Sequence, residues 1–190
     1  PVYPIDPRDF YFIENAHRKG NVSELKKHVT NASILHARGK TQDGREMTVA
    51  EVIMSNAWKY TEFLDALIGN EISPADPEVD RTGLFRIGTI LIQLRNDKRS
   101  DTEICALLER YLSLAPNVDL RNLAGVHPIR IVWGSGRGPE LMSWLITKTP
   151  NLKEMDAQAP LLSMMGYDSS MAVFMQAKVL LEAGANANWE

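Results

Sequence analysis

One cysteine stands in 190 residues. A single thiol excludes an intramolecular disulfide and suits a reducing compartment, so a cytoplasmic or nuclear location is expected. Cys105 sits in the apolar run Ile104-Cys105-Ala106-Leu107-Leu108. A small buried core residue is expected there, and a reactive thiol is not. Long apolar runs are also missing: no window approaches the roughly 18 residues of a membrane-spanning helix. Residues 1–9 are polar and proline-rich, and do not read as a signal peptide. No excess of one charge exists, since 21 basic and 24 acidic residues leave a net charge of −3. That balance directs the chain to neither nucleic acid nor an anionic membrane. The basic residues lack interleaved aromatics, which further disfavours nucleic acid. Histidine is scarce and scattered, at His17, His28, His36 and His127. None stands at a metal-ligand spacing from Cys, Asp or another His, so no metal, cofactor or catalytic residue is expected.

What is present is a soluble-type composition, 44% hydrophobic and 24% charged, enough for a substantial core. The apolar periodicity is helical throughout. Residues 1–8 hold three prolines and read as an extended lead-in. Residues 9–19 then place Phe10, Ile13 and Ala16, with Phe12, on one helical face. Gly20-Asn21 breaks that helix, and residues 22–29 resume with Val22, Leu25 and Val29 until Asn31-Ala32-Ser33 stops them. A polar turn-rich stretch follows, with Gly39 and Asp43-Gly44 as turn signals. Residues 48–60 and 61–68 read as two further helices. Phe85, Ile87, Ile90, Leu91 and Leu94 mark the next, and Leu107, Leu108, Tyr111 and Leu112 its successor, for which Asp101 is the expected cap. Residues 127–133, 139–148 (opened by Pro139) and 169–182 complete the set.

The closing residues, 178–190, read Lys-Val-Leu-Leu-Glu-Ala-Gly-Ala-Asn-Ala-Asn-Trp-Glu, a helix with a glycine stop. Gly69, Ala115, Thr149 and Gly184 each follow an apolar helix, at steps of 46, 34 and 35 residues. Gly125-Val126-His127-Pro128-Ile129 and Ala157-Gln158-Ala159-Pro160-Leu161 open two of the helical pairs in the same way. These residues resemble the ankyrin repeat, whose period is about 33. His127 or Ala159 stands where that family has Thr before Pro-Leu. The family's following His is replaced by Arg130 and Leu162, so the usual ladder between repeats is lost or rebuilt. The resemblance implies an all-α solenoid of about five helix-turn-helix units with short finger loops, spanning 9–41, 42–79, 80–121, 122–153 and 154–190. Other helical-hairpin solenoids and an irregular helical bundle are the competing architectures. The start on Pro1 and the stop after Trp189 lead us to expect a piece of a longer protein.

Four stretches invite sharper readings. Gly134-Ser135-Gly136-Arg137-Gly138 resembles a phosphate loop, but no Gly-Lys-Ser/Thr follows it and an inter-helix turn is expected. Residues 51–80 carry seven acidic residues against Lys59 alone, and read as a solvated face. The basic residues Arg18, Lys19, Lys26, Lys27, Arg38, Lys40 and Arg45 flank them and suit a charged partner. Met155, Met164, Met165, Met171 and Met175 crowd the last unit, as core filler or as an adaptable contact surface. The resemblance implies binding of a protein partner, or of another domain of the same chain, through finger tips and the inner face. Carried over residue by residue, that surface is Gln42, Asp43 and Arg45; then Arg81, Thr82 and Leu84; then Leu123, Ala124, Val126 and Ser135; then Met155, Asp156 and Gln158. The expected function is a non-enzymatic interaction module. Its alternatives are a regulatory or targeting segment of a larger enzyme, or an effector or inhibitor that occludes another protein's active site.

Overall fold

A computed structural model describes residues 5–59, 62–68, 87–114, 127–133, 135–149, 152 and 170–186. These residues are mostly helical, with one small two-stranded sheet. The helices are α1 (Pro7–Lys19), α2 (Val22–His28), α3 (Ala32–Leu35), α4 (Val49–Met54), α5 (Glu62–Ile68), α6 (Ile87–Leu94), α7 (Asp101–Leu114), α8 (Pro128–Val132), α9 (Pro139–Thr147) and α10 (Met171–Glu182). The strands are β1 (Arg38–Lys40) and β2 (Glu46–Thr48), antiparallel, with Gly39 opposite Met47.

Local chemistry accounts for most boundaries. Pro7 opens α1 inside the expected lead-in, because the Asp6 carboxylate accepts the Arg8 N–H at 2.8 Å and caps the first turn. Gly20 closes it with a left-handed φ of 68°. Asn21 caps α2. Asn31, expected to end a helix, instead caps the one-turn α3 through its side chain. Thr48 and Glu51 form a reciprocal capping box at α4, with bonds of 2.9 and 3.0 Å. Glu51 is thus buried and architectural, and does not belong to a solvated acidic face. The helix expected over 48–60 ends at Met54. From there Asn56, Ala57 and Lys59 make tight turns, and the Ser55 hydroxyl donates to the Val52 carbonyl, competing with the helical ladder.

A second correction concerns Asp101. Its own helix is capped by Ser100, whose hydroxyl accepts from the Glu103 N–H while Glu103 accepts from the Ser100 N–H. Asp101 reaches across to α9, accepting the Leu141 N–H at 3.1 Å. That helix has Gly138 at its start and no side-chain cap of its own. A Cβ on Gly138 would stand 3.0 Å from the Asp101 carboxylate, so the glycine keeps the space for a cap supplied by a neighbouring helix. At the far end, Gly184 adopts φ 92° and the Ala185 N–H returns to the Leu180 carbonyl, as the glycine stop requires.

Among the described residues, nearly all the buried apolar side chains form one cluster, running from Phe10 and Ile13 through Ile53, Phe63, Leu91, Tyr111, Ile129 and Leu145 to Leu180. Within it α1 lies against α2 and α4, and α2 against α5. Further along, α6 lies against α8, α7 against α9, and α9 against α10. Helix α10 is amphipathic only in part: Val173, Gln176, Ala177 and Leu180 are buried, while Met171 and Phe174 are 73% and 62% exposed. Met171 is therefore not core filler. No described helix is long and apolar enough to cross a membrane.

Candidate functional site

The hairpin between β1 and β2 brings Gln42, Asp43 and Arg45 into one hydrogen-bonded turn. Thr41 is its buried pivot. Its N–H donates to the Arg45 carbonyl at 2.8 Å, and its hydroxyl accepts the Arg45 N–H at 3.0 Å and donates to Asp43. Gly44 takes φ 86°, a conformation that L side chains resist. The Thr41 hydroxyl, with Arg45 beside it, holds the Asp43 carboxyl below its usual range. The Arg45 Nε donates to Asp43 at 2.7 Å. Helix α1 anchors the turn from below: Glu14 accepts the Gln42 N–H at 3.1 Å, and Arg18 donates to the Gln42 side chain at 2.9 Å. Thr41 and Met47 are buried, and Gln42 to Glu46 are exposed. The result is a polar tip whose position is set by the helix beneath it.

Gly39 explains how the hairpin sits so close. A Cβ there would overlap the Phe10 ring, so only glycine lets β1 lie on α1. Arg38 and Lys40 line a shallow surface of about 480 Å³ with Gly39, Gly44 and Glu46.

The remaining expected contact residues divide into two groups. Arg81, Thr82, Leu84, Leu123, Ala124, Val126, Met155, Asp156 and Gln158 lie outside the described residues. Ser135 lies in the turn after α8, where its hydroxyl donates to the Val132 carbonyl at 2.5 Å. It belongs to the glycine-rich stretch, whose described residues, 135–138, form an inter-helix turn. Arg137 is buried at 8% exposure, and its guanidinium is occupied by protein. It donates to the carbonyls of Arg95 and Arg99 at 3.2 and 2.7 Å, and to that of Asp97. Asp101 lies 3.5 Å from it. From α10, the buried Gln176 donates to the Arg137 carbonyl at 2.7 Å. Buried among three carbonyls and the Asp101 carboxylate, this guanidinium is committed to the protein and not presented to a bound anion.

His127, at the position where the ankyrin family has Thr, caps α8 through Nδ1, which accepts the Ile129 N–H at 3.2 Å. Burial, with Arg130 nearby, lowers its pKa. Cys105 is only half-buried. Burial and the carboxylates of Asp101, Glu140 and Glu109 push its thiol up to about 11, so it stays protonated and inert near neutral pH.

Two features carried no local sequence signal. The first joins His17 and Ser55, 38 residues apart, at 3.3 Å. This is the reverse of a nucleophile and its base: the Ser55 hydrogen goes to Val52, leaving His17 Nε2–H as the donor. Burial lowers His17 to about 4, so it is also a weak base. The second is a groove of about 590 Å³ between the turn after α4 and the turn after α6. It is lined by Asn56, Trp58, Lys59, Glu62, Gln93 and Arg99, among others. Among the described residues, no cluster of three or more His, Cys, Asp or Glu is arranged to hold a metal ion.

Against known proteins this chain finds no match, neither among family models, nor among curated proteins, nor among solved structures.

Proposed function

We propose that the chain is an ankyrin-like array of stacked helical pairs, and that it binds a protein partner through the β1–β2 tip and the surface beside it, without catalysing a reaction. The observation that carries this reading is the hairpin itself. An exposed polar turn, fixed by Thr41, Glu14 and Arg18, is a recognition surface whose ordering cost is met in the free protein. Further support comes from which helices touch: α1 with α4 and α2 with α5, then α6 with α8 and α7 with α9. In those two seams first helix meets first and second meets second, as neighbouring repeats require. The hairpin feeds directly into α4 through the Thr48 cap, where a finger of this family would stand.

The test is affinity capture with wild type and with Gln42→Ala/Asp43→Ala/Arg45→Ala. All three side chains are exposed, so the variant should melt as wild type does by circular dichroism. At least one protein retained by wild type and identified by mass spectrometry should be lost from the variant. An unchanged set of retained proteins would remove the hairpin from the binding surface.

A further inference from the structure

The groove beyond the C-terminal ends of α4 and α6 plays no part in that reading. Its base is formed by buried Leu94 and by the buried indole of Trp58, which meets Tyr111 edge-on at 5.4 Å. Ser55, Asn56, Lys59 and Glu62 supply one side, and Gln93, Asp97 and Arg99 the other. The volume falls within the roughly 300–1,000 Å³ of small-ligand sites, room for a few residues of extended chain.

The charges that line it cancel, but they are unequally committed. Arg99 donates through Nε and a terminal nitrogen to Asp97, both at 2.9 Å, and also to the Trp58 carbonyl. Those Arg99 hydrogen bonds hold the Asp97 carboxyl down at about 2, a permanent anion paired with a permanent cation. Lys59 is engaged within the chain as well. The side chains left without a partner among the described residues are the Glu62 carboxylate and the amides of Asn56 and Gln93. One anion and two amides call for a ligand that is cationic and rich in both donors and acceptors. A phosphate would face Glu62 with no uncommitted cation to receive it. A side-chain amide, by contrast, pairs with a peptide group in both directions, and a carboxylate pairs with Arg or Lys.

We propose that this groove takes a short, extended, basic segment of a partner polypeptide, with Asn56 and Gln93 pairing its main chain and Glu62 its Arg or Lys side chain. No hairpin residue is involved, so the assignment stands or falls apart from the role of the β1–β2 tip.

The buried Trp58 indole N–H has no hydrogen-bond partner, which makes its NMR signal a clean reporter at the base of the groove. The probe is acetyl-Gly-Arg-Gly-Arg-Gly-amide, titrated into ¹⁵N-labelled protein with assigned signals. Saturable shifts are expected at the Trp58 indole and at the side-chain amides of Asn56 and Gln93. Replacing both arginines of the probe by glutamate should abolish them. Glu62→Gln, at an exposed position whose folding is checked by its melting curve, should weaken binding about fivefold, as loss of one exposed charge contact implies. Asn56→Ala/Gln93→Ala should weaken it further, whereas Gln42→Ala/Asp43→Ala/Arg45→Ala should leave it unchanged. Absence of saturable shifts at millimolar peptide would overturn the proposal. So would equal binding of the glutamate peptide, an unaltered Glu62→Gln variant, or shifts confined to residues 41–45.

Discussion

His17 shows how a single buried side chain makes the whole fold sensitive to pH. It is 7% exposed, stacks on Phe63 at 5.5 Å between ring centres, and bonds Ser55. Burial lowers its pKa from 6.5 to about 4. The unfolded chain therefore binds this proton at a higher pH than the folded one. The neutral ring contributes its full stability above pH 6.5, and that contribution is lost as pH falls from 6.5 to 4. The loss reaches at most roughly 3 kcal/mol. In urea unfolding at pH 7 and pH 4.5, wild type should lose about 2–3 kcal/mol more between the two than His17→Gln, which keeps a donor for Ser55 without a titrating ring. Equal losses would mean that His17 is not buried in the neutral form. Arg137 is a different case, a buried guanidinium held in place by its acceptors. It survives burial because three backbone carbonyls and Asp101 surround its guanidinium, the condition under which a buried cation is tolerated.

At the scale of elements, close approach decides what sequence pattern alone leaves open. The hairpin rests on α1 only because Gly39 has no Cβ to meet Phe10. Gly39→Ala should cost about 1–3 kcal/mol by overpacking. It should also shift the NMR signals of residues 41–45, since Glu14 and Arg18 no longer hold Gln42 in register. Phe10→Leu should recover part of the loss in Gly39→Ala while destabilising the parent, a coupling that a double-mutant cycle reads directly. Additive costs would mean that the two positions do not meet. Asp6, Asn31 and Ser100 are local caps that the pattern did not disclose. Other local signals were legible: Asn21, Pro139 and Gly184 each act on their own helix. The hairpin tip was legible for the same reason, through Asp43-Gly44. Asp101 and Arg137 were not. Their partners lie about 40 residues away in sequence, at Leu141 and at the turn after α6, and periodicity carries no information about such pairs. The Trp58 groove was hidden likewise, because it exists only where two distant turns face each other.

For the molecule as a whole, the proposed array makes the seam between α1–α5 and α6–α7 the place where cooperativity is decided. It is joined by Trp58 against Tyr111, by Arg99 on the Trp58 carbonyl, and by the ion pair of Arg110 with Asp65. Only the first of these buries large apolar area, and Tyr111 is fully buried. In a stacked array, stability is a sum of unit terms and neighbour terms, so weakening one neighbour term separates the melting of the two sides. Tyr111→Ala should therefore cost about 3–5 kcal/mol and also change the shape of unfolding. Wild type is expected to unfold in urea as one transition, followed equally by circular dichroism and by the signals of residues on either side. In Tyr111→Ala the signals of Ile104 and Leu108 should be lost at lower urea than those of Phe10 and Ile53. Tyr111→Phe keeps the edge-on ring and should remain a single transition. If Tyr111→Ala unfolds in one step with every signal lost together, the chain is one indivisible core and not an array of coupled neighbours. The ankyrin-like reading would then fail at its physical premise.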